Sequence, residues 1–289
     1  MASLIGIRRR IRSTKNIKQI TKAMQMVSAS KMRKAQDAAL ATRPFTDKLR
    51  DILSRVAGAS SSELKHDLTN IRPEKKILVI LVSTSKGLCG GLNVNLSRGF
   101  QNFAEGMENA EISVVTVGKK ARWVLPRTET TLVARFDNLG ETVTFQDSRA
   151  ITSFAMDSFI EGIFDSIYFA YPKFISTLTN EITISKLLPI VAVGDDPRVD
   201  PKSTVEYKIE PDPEALVKKL IPYQVEMSLY QAILEARATE HSARMVAMKN
   251  ASDNARDLIS SLTLDYNSAR QSQVTSELLD VTTARMAIE

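Results

Sequence analysis

The sequence predicts an α/β fold joined to a long antiparallel two-helix coiled coil, in which N- and C-terminal helices flank a small, largely parallel-sheet α/β domain. Three observations carry that expectation. The last 67 residues, Tyr223 to Glu289, contain no glycine and no proline, although the chain has 11 Gly and 10 Pro. At 1.5 Å per residue an unbroken helix of that length reaches roughly 100 Å, far beyond the mean globular helix. The first 57 residues read alike, interrupted only by Gly6 and Pro44. Between these arms, strand-like and helix-like segments alternate, the pattern of a parallel sheet. The expected division is 1–57 and 210–289 as the two arms of one discontinuous coiled coil, with 75–205 as the α/β domain.

Composition narrows the class. With 43% hydrophobic and 25% charged residues the chain is globular rather than disordered. Its longest aliphatic run, Ile77 to Val82, is too short to span a membrane. Met1 to Arg12 lacks the apolar stretch of a secretory signal. Cys89 is the only cysteine, which excludes an internal disulfide and fits a reducing, cytoplasmic setting. Residues 1–57 carry 14 Lys/Arg against three Asp/Glu, whereas 223–289 carries six against nine. A basic arm facing a mildly acidic one favours their pairing. The same basic arm is also what a nucleic-acid binder would show, but it lacks interleaved aromatics until Phe45, and no nucleic acid is expected as a partner.

In the N-terminal arm the apolar or small residues Ile7, Ile11, Ile17, Ile20, Met24, Val27, Met32, Ala35, Ala38, Phe45, Leu49, Ile52 and Val56 recur mostly three and four apart. That spacing predicts a coiled-coil seam with slips near Ile11 and Pro44. Pro44 is expected to kink the helix without ending it. Gly58 and Ser60-Ser61-Ser62 mark its stop. The C-terminal arm opens at Glu210-Pro211-Asp212-Pro213-Glu214, where Asp212 suits the cap and Pro213 the first helical position. Beyond Pro222 the predicted seam is Val225, Leu229, Ala232, Ala236, Ala243, Ala247, Ala251, Ala255, Leu258, Leu262 and Ala269. So many alanines in one stripe predict close approach of two helix axes, about 8 Å. The C-terminal arm is the longer, so it should overhang its partner by roughly 20 Å. Val274, Leu278, Leu279, Val281, Met286 and Ile288 then lie where the chain offers them no partner, and a cover from another protein is expected.

In the middle, Ile77–Val82 reads as a strand buried on both faces because its apolar run does not alternate. Further strands are expected at Ile112–Val117, Thr131–Phe136, Ser166–Phe174 and Glu181–Leu188. Helices are expected from Gly118 through Trp123 and over Ser148–Phe164. The stretch Ser85-Lys86-Gly87-Leu88-Cys89-Gly90-Gly91-Leu92-Asn93 follows a strand and opens a helix, as phosphate cradles do, yet it matches no nucleotide-binding pattern. Gly118-Lys119-Lys120 likewise falls short of a phosphate loop. Cys89 has no positioned base in the sequence, His66 and His241 being the only histidines, and a buried thiol is the expected role. Two distant histidines and one cysteine make no metal site. Neither a catalytic constellation nor a cofactor is expected.

Ile11-Arg12-Ser13-Thr14-Lys15-Asn16-Ile17, Ile20-Thr21-Lys22-Ala23-Met24-Gln25-Met26-Val27 and Ser28-Ala29-Ser30-Lys31-Met32-Arg33 closely resemble the N-terminal helix of the F-type ATP synthase gamma subunit family. Lys86–Asn95 resembles that family's central signature, as do Tyr207 with Glu210-Pro211-Asp212-Pro213 and Ala243-Arg244-Met245-Val246-Ala247-Met248-Lys249-Asn250-Ala251. Tyr266-Asn267, Arg270-Gln271 and Val274-Thr275-Ser276-Glu277 resemble its C-terminal motif. The resemblance covers essentially the whole chain in order. It implies a non-catalytic central rotor stalk that turns inside an alpha/beta hexamer and stands with an epsilon subunit on a membrane ring of c subunits. On this resemblance, Lys22, Met24, Arg270, Gln271, Thr275 and Glu277 contact the alpha/beta hexamer, and Tyr207 and Glu210 face the c ring and epsilon. It places the protein as a peripheral protein on the cytoplasmic face of a bacterial plasma membrane. One departure is Ala284-Arg285 where the family has Gly-Ala, which adds a charge near the tip.

Overall fold

The computed structural model describes residues 4–59, 66–107, 110–121, 125, 130–140, 142–190 and 213–286. They divide into two compact units, Met1–Ala29 with Arg244–Glu289, and Ser30–Ala243. In chain order the elements are α1 (Leu4–Ala59), β1 (Lys76–Val82), α2 (Leu92–Glu105), β2 (Glu111–Val117), β3 (Thr131–Phe136), α3 (Phe145–Ile160), β4 (Ser166–Phe174), β5 (Asn180–Leu188) and α4 (Pro213–Met286). A single 3-10 turn at Asp67–Thr69 precedes β1, capped by His66, whose side chain accepts the Leu68 N–H.

In the unit Ser30–Ala243 the strands form one sheet in the order β3-β2-β1-β4-β5. β1 pairs in parallel with β2 and with β4, β2 pairs in parallel with β3, and only β5 runs antiparallel, beside β4. Each strand lies within one residue of its expected bounds. β1 is covered on both faces, which is why its aliphatic run does not alternate. Leu96 and Phe100 of α2 pack with Ile77, Val79 and Leu81 on one face. Ile151, Ala155 and Phe159 of α3, together with Val225, Leu229 and Ile233 of α4, pack with Leu78 and Ile80 on the other. Gly99 lets α2 approach β5 closely, since a Cβ there would stand 2.8 Å from Ile182 Cγ2.

The α3 boundary differs from the expected Ser148–Phe164. Thr144 and Asp147 close a reciprocal capping box that starts the helix three residues earlier. Gly162, at φ +74°, stands just past its end. The expected helix from Gly118 is a turn over 118–121 instead; the rest of it, Trp123 included, lies outside the described residues. Pro44 sits within α1 and Pro222 within α4, and neither ends its helix. Pro213 opens α4, as expected.

The seams needed correction. Along α1 a continuous run of covered positions is Leu4, Ile7, Ile11, Thr14, Lys18, Thr21, Gln25, Ser28, Met32, Ala35, Ala39, Thr42, Thr46 and Leu49, with others, Met24 of the expected seam among them, half-buried beside it. The run alternates steps of three and four without a slip, so the slips expected at Ile11 and Pro44 do not occur. Ile17, Ile20, Val27, Ala38, Phe45 and Ile52, assigned to the seam, are exposed, Ile20 by 59%, and the side chain of Val56 lies outside the described ones. The residues buried instead are small and hydroxylated. Thr14, Thr21 and Thr46 donate to the carbonyls of Arg10, Ile17 and Thr42 one turn back, at 2.9, 3.0 and 3.1 Å. A hydroxyl satisfied inside its own helix asks nothing of the partner, so a small side chain can be buried without an orphaned donor.

α4 changes character along its length. Gln231–Ser242 is buried at every position, as a helix covered all round must be. In the unit of Met1–Ala29 with Arg244–Glu289 a heptad-spaced run of its covered positions is Met248, Ser252, Ala255, Ile259, Leu262, Tyr266 and Ala269. Of the expected seam, Ala243, Ala247 and Ala251 are half-buried, as Ile259 and Leu262 are, whereas Leu258 is 50% exposed and its neighbour Ile259 takes its place. From Arg270 to Met286 every residue is exposed.

Candidate functional site

The loop after β1 is where a parallel sheet of this kind would hold a ligand. β1 has neighbours on both sides that are reached in opposite directions, and its C-terminal end opens at that switch point. Leu88 and Gly90 both have positive φ, 62° and 61°, and Gly91 caps α2 without a side-chain bond. Consecutive backbone N–H groups in such a loop form an anion-binding concavity. Here a side chain of the same chain fills it. Glu240 of α4 accepts the Ser85 N–H at 3.1 Å and the Lys86 N–H at 3.2 Å, one on each carboxylate oxygen. Arg237, one turn earlier, donates to Glu240 at 3.0 Å and to the Ser85 hydroxyl at 2.5 Å. Both side chains are almost fully buried, 3% exposed for Glu240 and 10% for Arg237. The loop therefore behaves as a socket for α4.

Cys89 is buried, as expected, and its Sγ lies 3.6 Å from the Asn93 amide nitrogen, which also donates to Thr84 at 2.8 Å. Gly118, at φ +97°, turns beside it, and a Cβ there would meet the Ser83 carbonyl oxygen at 2.6 Å. The Lys120 N–H returns to the Thr84 carbonyl at 3.1 Å. The Gly118-Lys119-Lys120 stretch is thus bound into the end of the sheet.

A second polar network joins α1 to α4 within the same unit. Arg43 pairs with Glu235 at 2.9 Å, and Gln231 donates to Glu235 and to the Ala39 carbonyl, both at 3.1 Å. Nearby, Tyr223 lies edge-on to Phe45 and to Phe145, with centroids 5.9 Å apart in each case. A cleft of about 890 Å³ opens beside this network, between α1, α4 and the β4–β5 hairpin, with Arg43, Lys186, Gln224 and Glu235 among its lining. Sequence reasoning missed Arg237, Glu240 and Glu235. The available signal was an acid–base pair three apart inside an alanine-rich stretch with no room for solvated charges.

The residues singled out by resemblance lie elsewhere. Lys22 is exposed on α1 and donates to Gln25 at 3.3 Å, and Met24 is half-buried beside it. Arg270, Gln271, Thr275 and Glu277 occupy about two turns at the start of the exposed end of α4. Thr275 donates to the Gln271 carbonyl at 2.9 Å, and Glu277 accepts from Gln273 at 2.9 Å. The same stretch of helix exposes Val274, Leu278, Leu279, Val281 and Met286, by between 49% and 78%. Tyr207 and Glu210 lie outside the described residues.

Against known proteins, a family model described as ATP synthase matches residues 3–288. An ATP synthase gamma chain of Dehalococcoides mccartyi is 43% identical over 282 residues, covering 97% of either chain. One from Roseiflexus castenholzii is 42% identical, covering 100% of this chain and 99% of its own. Among solved structures, the rotor of the Euglena gracilis mitochondrial ATP synthase superimposes with a TM-score of 0.66 at 22% identity, over 94% of this chain and 98% of that one. The last likeness is one of fold.

Proposed function

This chain belongs to the family of ATP synthase gamma chains, the non-catalytic central-stalk subunits of that machine, and we propose that its paired arms are the torsion shaft that carries rotation between a c ring and an alpha/beta hexamer. The observation that carries this reading is the end of α4. Seventeen consecutive residues, Arg270 to Met286, are exposed, and they include five large apolar side chains. An isolated helix does not present such a surface to water without a cover. A ring-shaped collar suits it better than a flat partner, because Val274, Leu278 and Val281 share one face of the helix while Leu279 and Met286 lie on another, so both need cover. The outward stripe of Ile17, Ile20 and Val27 on α1 extends the same demand for cover.

In this reading Arg270, Gln271, Thr275 and Glu277, with Lys22 and Met24 on α1, make polar and apolar contacts with the hexamer that exist in some rotary positions and not in others. Charge-assisted hydrogen bonds that form and break in turn would guide the three catalytic sites of the hexamer through different states. Tyr207 and Glu210 form the foot that faces the c ring and the epsilon subunit. The functional division is 1–57 and 210–289 as the shaft, with 75–205 as the domain that bears on the ring. No helix among the described residues is long and apolar enough to cross a membrane, which supports attachment through the ring. The location is the cytoplasmic face of a bacterial plasma membrane.

Copurification tests the reading. A tagged form of this chain expressed in its own cell should bring down alpha, beta, epsilon and c chains in one complex that hydrolyses ATP. Recovery of the intact chain without alpha and beta chains, from membranes that still hydrolyse ATP, would refute it.

A further inference from the structure

A shaft turns a load only if the load is keyed to it. Apolar packing between α4 and the sheet resists separation, but the attraction behind it is non-directional. A directional lock is needed as well. We propose that Glu240 is the key: its carboxylate, seated on the Ser85 and Lys86 backbone N–H groups and held by Arg237, is the positioning residue that fixes the α/β domain to α4 against torsion. The proposal rests on the rotor reading above.

Four features single out this contact. It joins α4 to the end of β1, the central strand of the sheet, rather than to a surface loop. It is two-pronged, since each carboxylate oxygen takes a different backbone N–H, and this fixes direction as well as distance. The backbone groups belong to a loop with two positive-φ residues, so the socket is shaped before the carboxylate enters. The group is also buried and neutralised by Arg237, so water cannot replace it stepwise. Farther along α4, Ser242 donates to the Thr177 carbonyl at the tip of the β4–β5 hairpin. A second, weaker tie thus lies half a turn from the first.

The test uses the assembled, membrane-reconstituted complex with E240Q and, separately, with R237M/E240L. In E240Q one carboxylate oxygen becomes an NH2 group facing a backbone donor, which breaks one prong. R237M/E240L removes both charges at similar volume, which buried ion pairs commonly tolerate, and it keeps the test open if E240Q fails to assemble. Two readouts are made on complexes with a full complement of subunits and an unchanged melting temperature. Exchange at the Ser85 and Lys86 amides should accelerate roughly tenfold or more, as expected on loss of a charge-assisted bond. Protons pumped per ATP hydrolysed should fall by about half or more, as expected when a shared motion must pass through a loosened joint. Accelerated exchange with a wild-type pumping ratio in both variants would overturn the proposal, as would wild-type exchange. Deletion of Val274–Glu289 serves as the control arm. If that deletion uncouples the complex while the Glu240 variants do not, the key fails and the rotor reading stands. If neither uncouples it, the rotor reading fails.

Discussion

At the scale of single residues, the chain assigns its rare conformations to positions where the backbone has no alternative. Gly118 is the clearest. Its φ of +97° and the Ser83 carbonyl oxygen, which would lie 2.6 Å from a Cβ there, leave an L side chain nowhere to go. Gly118→Ala should therefore destabilise the isolated chain by about 1–3 kcal/mol, read from denaturant midpoints at constant slope. A smaller and pH-dependent effect belongs to Asp147. The Thr144 N–H, then the Thr144 hydroxyl, hold its carboxyl below the ordinary aspartate range. A folded-state value below the unfolded one means that the unfolded chain binds the proton more readily. The stabilisation is therefore complete above the ordinary aspartate pKa and is lost as pH falls through the lower folded value. Asp147→Ala should cost about 0.5–1 kcal/mol at neutral pH, and the difference from the wild type should shrink towards zero in acid. A difference that stays constant across that range would show that the carboxylate charge is not what caps α3.

At the scale of elements, the heptad in α1 separates two surfaces that apolar content alone does not. Thr21 is buried in the seam and Ile20, its neighbour, is 59% exposed. Thr21→Leu should overpack the helix pair and cost about 1–3 kcal/mol. Ile20→Ser should change the stability of the isolated chain by no more than about 0.5 kcal/mol while weakening its retention in the assembled complex. The reverse order of the two effects would restore the apolar seam expected from the sequence. The same pair explains what was legible and what was not. The strands were legible because uninterrupted or alternating apolar runs ended at turn residues such as Gly118, and because burial on two faces leaves a simple mark. α4 was legible from the absence of glycine and proline beyond Pro222. The seam was not, because Thr14, Thr21 and Ser28 satisfy their hydrogen bonds locally or are small, and so carry no apolar signal. The larger Ile17, Ile20 and Val27 supply a competing stripe that faces outwards. The Glu240 socket was not legible either. Its two halves are more than 150 residues apart, and a glycine-rich loop after a strand looks the same whether it holds a phosphate or a carboxylate of its own chain.

At the scale of the whole molecule, the division of labour implies that stability and coupling depend on different residues. The described part of the tip contributes nothing to either core: no residue from Arg270 to Met286 is even half-buried, whereas the sheet core is closed by α2, α3 and the Val217 to Ala236 stretch of α4. Removing Val274–Glu289 should therefore leave the denaturant midpoint of the isolated chain unchanged, within the roughly 0.5 kcal/mol expected of surface changes. The same deletion in the assembled complex exposes no new core, yet it strips away Val274, Leu278, Leu279, Val281 and Met286 together with Thr275 and Glu277. If those side chains are the bearing, ATP-driven proton pumping should fall sharply while the subunit composition is kept, because the hexamer then turns over without a guide for its sequence of states. A loss of folding stability with normal pumping would reverse both halves of the argument, making the tip a structural element of the chain itself.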